Sequence, residues 1–320
     1  GGFLPGAGHG STLEDREGAW WHTATMRISV NHVFERRVGI WPAGFDSDGE
    51  LFCNQRYGDW PQDMDALRRN PWAEPEWMLL SYGKRAYASS CVEGREAQNA
   101  LDENVQTWWR AASVESGQWL CADLGKVMTV NAVQINFADE GIEAQIPEDA
   151  DRLIAHEIRY IDTEKRITRW LLEGSADGET YFTIADKRRA ETNLGNDFVM
   201  PEGGVRARYL KLTVLEVPFR QRICVSGLRV FGRGEGEKPA APQAQAKRVG
   251  DLDMLVSWAD TGAVGYNVLW GYAPDKLYHS YMVFGAAEKK IGALMKGEPV
   301  WVRVDAFNEA GVTEGETFAL

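Results

Sequence analysis

Strict alternation of apolar and polar residues recurs along this chain and leaves little room for helices. Val133, Ile135 and Phe137 fall on one face of an extended segment, as do Leu210, Leu212 and Val214. Val300, Val302, Val304 and Ala306 repeat the pattern, with Arg303 and Asp305 on the other side. A period of two places such residues on one face of a strand, whereas a helix needs them three and four apart. The chain therefore reads as all-β. Thirteen Trp and 33 Gly accompany the pattern. Large aromatics fit a pleated, half-buried surface and glycines serve turns. Aromatic faces also suit sugar rings, and composition leaves both uses open.

Two shifts of composition divide the chain. Residues 61–80, PQDMDALRRNPWAEPEWMLL, carry three prolines and no alternation. Residues 233–246, RGEGEKPAAPQAQA, read as a linker. The expected units are a first segment over 1–62, a connector over 63–80, a middle domain over 81–232, the linker, and a last domain over 247–320. The net charge of −12 argues against nucleic acid or an anionic membrane as partner. No run of 18 apolar residues is present to span a bilayer. Cys53, Cys91, Cys121 and Cys224 show no CxxC spacing, which speaks against zinc; one disulfide and buried free thiols both fit.

Four strands can be placed in the first segment. One runs near residues 8–14, and EDREG turns the chain into AWWHTATMRI; RRVGIWPAGF follows, and DSDG leads into ELFCNQ. Gly18 and Gly49 stand where these turns call for positive φ. A lone four-stranded sheet with Trp20, Trp21, Ile40, Trp41 and Phe52 has two apolar faces and nothing of its own to cover them. That is the pattern of one propeller blade, which is stable when stacked on sister blades. The expectation is a poorly covered sheet at the tail of a longer protein.

The stretches GAGHGSTLEDREGAWWHTATM and RRVGIWPAGFDSDGELFCNQRYGDWP resemble the last blade of glycoside hydrolase family 43, a five-bladed propeller. In that family a glycine-rich strand directs one histidine toward the central axis, beside a calcium ion. His9 matches that position, with Gly6, Gly8 and Gly10 around it and Ala7 where proline is common. Glycines let innermost strands approach closely. The other reading of His9 is a histidine satisfied within a turn. The family's acidic triad comes from earlier blades, and none of the acids here matches it, so this chain is expected to hold no catalytic residue.

The middle domain resembles the discoidin, or coagulation factor V/VIII type C, fold, related to carbohydrate-binding module family 32. YASS (87–90), NALDENVQTWW (99–109), QWLCADLG (118–125), GSADGETY (174–181), RYLKL (208–212) and VSGLRVFG (225–232) carry the resemblance in order. It implies a jelly-roll sandwich with ligands on loops at one end. It also implies a calcium turn, to which Asp102 and Thr107 would contribute oxygens. The family's closing Glu is replaced by Gly227. A turn cap by Asp102 and a structural Thr107 fit equally well. Candidate sugar contacts are Trp109, His156, Phe219 and Arg220, while Trp108 and Trp119 are expected to face inward. The long stretch 139–170, with His156 and Trp170, could instead pack against the first segment.

MLVSW (254–258), GYNVLWG (265–271) and VWVRVDAFNEAG (300–311) resemble a fibronectin type III domain, with Trp258 and Tyr266 in its core and a spacer role. The resemblances together imply the C-terminal part of a secreted glycosidase, extracellular or periplasmic, of the arabinofuranosidase or xylosidase type. It would hydrolyse a plant-type polysaccharide or oligosaccharide with inversion, with calcium as the metal. The alternative is a non-catalytic glycan-binding or adhesion protein that acts through the discoidin domain.

Overall fold

The structure, a computed structural model, describes residues 3–4, 6–27, 36–141, 148, 151–154, 157–159 and 165–320. It is all-β apart from one short α-helix and two 3-10 turns among these residues.

The first sheet is an antiparallel meander of β1 (Gly8–Glu14), β2 (Trp20–Arg27), β3 (Arg36–Phe45) and β4 (Leu51–Cys53), in that spatial order. Its two described turns use one device. The Asp15 carboxylate accepts the backbone N–H groups of Glu17 and Ala19, with Gly18 at φ 86°. Asp46 does the same for Asp48 and Glu50, with Gly49 at φ 78°. Aspartate closes such turns because its short side chain reaches the backbone two residues on. Helix α1 (Met64–Arg69) docks beside the first turn: Arg68 Nε and Trp21 Nε1 both donate to Asp15 Oδ2, at 3.1 and 2.8 Å.

The two faces of this sheet differ. Ala24, Met26 and Trp41 are buried together against Leu4 and Cys53. Gly39 is required there, since a Cβ would stand 2.4 Å from the Trp41 ring and 2.6 Å from Met26 Sδ. The opposite face carries Trp21, which is buried, but leaves Leu13, Ile40 and Val38 at 45, 43 and 75 % exposure. Apolar exposure is thus broad on this face, and on the Trp41 face it is confined to the far end, where Phe45 and Leu51 are 51 and 48 % exposed.

The middle unit is a nine-stranded assembly of β5 (Met78–Leu79), β6 (Arg85–Ala88), β7 (Trp109–Arg110), β8 (Gln118–Phe137), β11 (Arg169–Ser175), β12 (Phe182–Asp186), β13 (Asn196–Val199), β14 (Val205–Glu216) and β15 (Cys224–Arg233). The spatial order is β12-β11-β14-β8-β15-β5, with β13 and β6 on β8 and β7 on β15. A separate pair, β9 (Asp151–Ile154) and β10 (Glu157–Arg159), lies between β8 and β11 in sequence. β5 falls within the expected connector yet pairs with β15, so the sandwich begins earlier than residue 81.

β8 explains the shape. Straight, its 20 residues would span roughly 65 Å. Its first residue is paired with the end of β14 (Val214↔Gln118) and its last with the start of β15 (Val225↔Phe137). Residues 217–223 join those two strands and reach at most about 28 Å. β8 therefore folds over, running down one layer and up the other, with the turn at Gly125 (φ 85°) and the register break in its β14 pairing. Both of its ends meet at one end of the sandwich. Between the layers lie Trp109, Trp170, Leu120, Ile135, Leu172, Leu212 and Leu228, all fully buried.

The last unit pairs β16 (Ala244–Arg248), β17 (Met254–Trp258) and β20 (Glu288–Ile291) in one sheet. β19 (His279–Phe284), β18 (Gly265–Gly271), β21 (Trp301–Asn308), β22 (Gly311–Thr313) and β23 (Phe318–Ala319) form the other. Trp258 and Tyr266 meet in its core with ring centroids 5.2 Å apart. This unit does not hang on a loose spacer. Tyr57 and Trp60 from the first segment, Phe231 from the middle sandwich and Phe307 from the last form one buried cluster, with Trp60 5.5 Å from Phe307 and 5.8 Å from Phe231. The linker itself is tied down by Gly234 N–H to Glu309 O and Asn308 Nδ2 to Glu237 O. All four cysteines are free thiols.

Candidate carbohydrate-binding site

The end of the sandwich where β8 starts and stops gathers polar and aromatic groups from several loops. Glu140, three residues beyond β8, is their hub. Its Oε2 accepts Trp108 Nε1 at 2.5 Å and Arg95 Nε at 3.2 Å, and its Oε1 accepts Arg110 Nη1 at 3.2 Å. Arg95 also stacks on the Trp108 ring, 4.3 Å from its centre. Burial raises the Glu140 pKa, but the Trp108 N–H and the two guanidiniums reverse this and hold the carboxyl below its ordinary value. The group is an anion at neutral pH, with two cations in fixed positions beside it.

Gln221 ties the 217–223 loop to this hub. Its Nε2 donates to Asp139 Oδ1 at 3.2 Å and its Oε1 accepts the Glu140 N–H at 3.4 Å. Phe219 and Arg220, two positions before, hold left-handed φ values of 60° and 50°. Such values are costly for residues with a Cβ and persist where the surroundings impose them. Arg166 lies over the Phe219 ring at 4.2 Å, and Arg220 is exposed. Carboxylate, guanidinium and amide groups that converge beside an aromatic ring are the groups that bind sugar hydroxyls and the C–H face of a pyranose.

The expected contacts divide. Phe219 and Arg220 lie in this loop cluster. Trp109 does not: it is 0 % exposed and its Nε1 donates to Ser90 O at 2.9 Å, so neither ring face is open to a ligand. Its neighbour Trp108, expected to face inward, is indeed buried but lies under the loop hub instead of in the main core. Neighbours on a strand point to opposite faces, and the sequence does not tell which of two tryptophans takes which. His156 lies outside the described residues. Trp170 is core, not a contact of the first segment. Glu140, Arg95 and Arg110 were not singled out from sequence; the signal available was a lone acid directly after a long strand.

The metal expectations were His9, Asp102 and Thr107. His9 is exposed on edge strand β1, at φ 57°. Among the described residues no three His, Cys, Asp or Glu side chains converge as a metal would need. In the turn, Asp102 Oδ1 accepts the Asn104 N–H at 3.0 Å and Oδ2 accepts the Thr107 hydroxyl at 2.6 Å. Burial pushes the Asp102 carboxyl up, against these hydrogen bonds. Gly227 offers no side chain, and the next carboxylate, Glu103, is turned onto Arg229 with an Oε2–Nη2 distance of 2.8 Å. Calcium takes six to eight oxygens, preferably several charged. The donor set here does not fit it.

The middle unit is thus a jelly-roll sandwich with a polar loop hub at one end. Residues 99–212 match the F5/8 type C family described as the NedA-like, galactose-binding domain. No curated protein matches the sequence. Among solved structures, chitosan-binding module 1 of a chitosanase/glucanase from Paenibacillus sp. IK-5 is 21% identical, over 48% of this chain and 99% of that one, with a TM-score of 0.37. The family 32 module of Clostridium perfringens NanJ, in complex with galactose, is 19% identical over 48% and 98%, also at 0.37. Module CpGH89CBM32-4 of the same organism, in complex with GlcNAc-α-1,4-galactose, is 11% identical over 50% and 97%, at 0.38.

Proposed function

We propose that the middle sandwich binds a terminal sugar of galactose type on a glycan, at the loop end built around Glu140. The observation that carries this reading is the hub itself: a charged carboxylate between two guanidiniums, bridged by Gln221 to a loop that holds Phe219 and Arg220 in strained geometry. The match of residues 99–212 to a galactose-binding family supports the sugar class. A monosaccharide of a dozen heavy atoms at an open loop site should bind with a Kd of about a millimolar. Calorimetry of the full chain with galactose, and a glycan array, test it. Arg220→Ala should weaken binding roughly tenfold at an unchanged Tm, the loss of one charge-assisted hydrogen bond. Silence on galactose and on every arrayed glycan would overturn the reading.

Within that reading, the first sheet is the last blade of a family 43-like propeller, and the intact protein is a secreted glycosidase whose carboxylates lie on earlier blades. Calcium at a propeller axis near His9 belongs to the same proposal. The exposed apolar face of Leu13, Ile40 and Val38 favours it over a free-standing adhesion protein, because a sister blade would cover such a face. The reading frame upstream of the codon for Gly1 decides between them. Repeated four-strand units there support the enzyme, and a start with a leader supports the glycan-binding protein. A plant-type glycan, as arabinose or xylose release would require, is then a question for activity of the whole protein.

A further inference from the structure

The 102–107 turn does not offer calcium a fitting set of oxygens, yet it is not left without a cation. Arg229, on β15, is 1 % exposed, and its guanidinium reaches the turn from below. Nε and Nη2 grip the Glu103 carboxylate at 2.9 and 2.8 Å, a two-pronged pair. Nη1 donates to Gln134 Oε1 at 2.6 Å and to Asp59 O at 2.8 Å, and Nη2 stands 3.5 Å from Asp59 Oδ1. The plane lies between two rings, 4.6 Å from the centre of Phe3 and 5.0 Å from that of Phe231. A buried guanidinium without such partners would be strongly destabilising, and here every side of it is met.

The partners show that the arrangement is built. Glu103 holds φ 56°, a left-handed conformation that a glycine would adopt without strain, and is 8 % exposed. A strained, buried, charged residue needs a reason at that place, and the pair with Arg229 supplies it. Phe3 covers the spot that a side chain at Gly227 would take: a Cβ there would lie 2.7 Å from Phe3 Cζ and 3.5 Å from Arg229 Cγ. Phe3 is itself held by its N–H to Asp59 Oδ2 and by its carbonyl, which accepts the Val105 N–H.

We infer that the Arg229 guanidinium is the resident cation of the 102–107 turn, in place of calcium, and that Phe3 and Asp59 of the first segment complete its lock. The turn then needs no metal to hold its shape. Because Thr107 leads directly into Trp108, the same lock positions the loop hub. This lock acts on fold stability whether or not a sugar binds.

Thermal unfolding of the full chain in EDTA and in millimolar CaCl2 is the first test. The expected result is a Tm equal within about 1 °C in the two. A clear rise with calcium is resolved by Asp102→Ala: the same rise in that variant places the ion elsewhere and supports the inference, while its disappearance overturns it. The second test is Glu103→Gly, which relieves the left-handed strain and removes the charge. A Tm lowered by several degrees supports the pair as the purpose of Glu103. A Tm unchanged or raised overturns it. Should the variant not fold, Glu103→Gln keeps one acceptor for Arg229 and is read in the same way.

Discussion

The ring of Phe3 lies on the backbone of Gly227, so close that a Cβ at the glycine would approach its Cζ to 2.7 Å. Residues more than 220 positions apart thereby close one site together. Gly227→Ala should displace a ring that is 1 % exposed and cost about 1–3 kcal/mol, as overfilled cores do. Urea denaturation measures this, and an unchanged midpoint would mean that the ring is not seated there.

Trp109→Ala should be severe for stability, not selective for sugar. The residue is fully buried in the sandwich, and removal of such a side chain costs about 3–5 kcal/mol. Calorimetric unfolding should show the loss with or without galactose present. A variant that folds normally but fails to bind sugar would restore Trp109 as a ligand contact.

One of the carboxylates expected to make stability fall in acid is Asp177. The Asp177 carboxylate accepts the N–H groups of Thr180 and Glu179 and the Ser175 hydroxyl, which lower its pKa from 3.8 to about 2. A carboxyl depressed in the folded state contributes stability above its unfolded pKa, and the contribution is lost as pH falls through the folded value. Asp177→Asn should therefore lower Tm at neutral pH, and the gap to the unaltered chain should close between about pH 4 and about pH 2. A gap independent of pH would refute the assignment.

The last sandwich should unfold with the rest. Lys276 binds Asp46, Asp48 and Glu50 of the first sheet's second turn, and Tyr278 stacks on Trp72 at 5.8 Å and donates to Asp46. Tyr278→Ala combined with Lys276→Glu should split one calorimetric transition into two, by loss of roughly 1–2 kcal/mol of aromatic coupling together with charge repulsion. One transition in both proteins would count against the junction.

Thiol chemistry offers a simple check. Cys91 is exposed, whereas burial pushes the thiol of Cys53 up to about 11 and that of Cys224 up to about 12, and Cys121 moves in the same direction. Only thiolate attacks a disulfide reagent. At pH 8 Cys91 should react quickly, the half-buried Cys53 more slowly, and the buried Cys121 and Cys224 only on unfolding. Two or more fast thiols would contradict the burial.

What could be read in the sequence follows from how local each feature is. The strands of the first sheet and their turns were legible because Asp15 with Gly18, and Asp46 with Gly49, act within five residues. The alternation of Val133, Ile135 and Phe137 announced β8, but not that it folds over, which depends on its pairing with β14 and β15. Adjacent Trp108 and Trp109 are equivalent until register assigns a face to each. Arg229 and Glu103 lie 126 positions apart, and nothing near either one names the other. The linker looked loose by composition alone, and its partners, Glu309 and Asn308, come from the far end of the last unit.

That tethered linker bears on how the proposed sugar site would present a ligand. A slack chain of 14 residues would let its two ends wander by roughly 20 Å and spread any second encounter through that volume. With the linker tied and Tyr57, Trp60, Phe231 and Phe307 interlocked, the loop end, the first sheet and the last sandwich keep a constant bearing on one another. A ligand bound at the Glu140 loop end would then keep one bearing on the exposed face of Val38 and Ile40, as a jig holds a workpiece at a set distance from the tool.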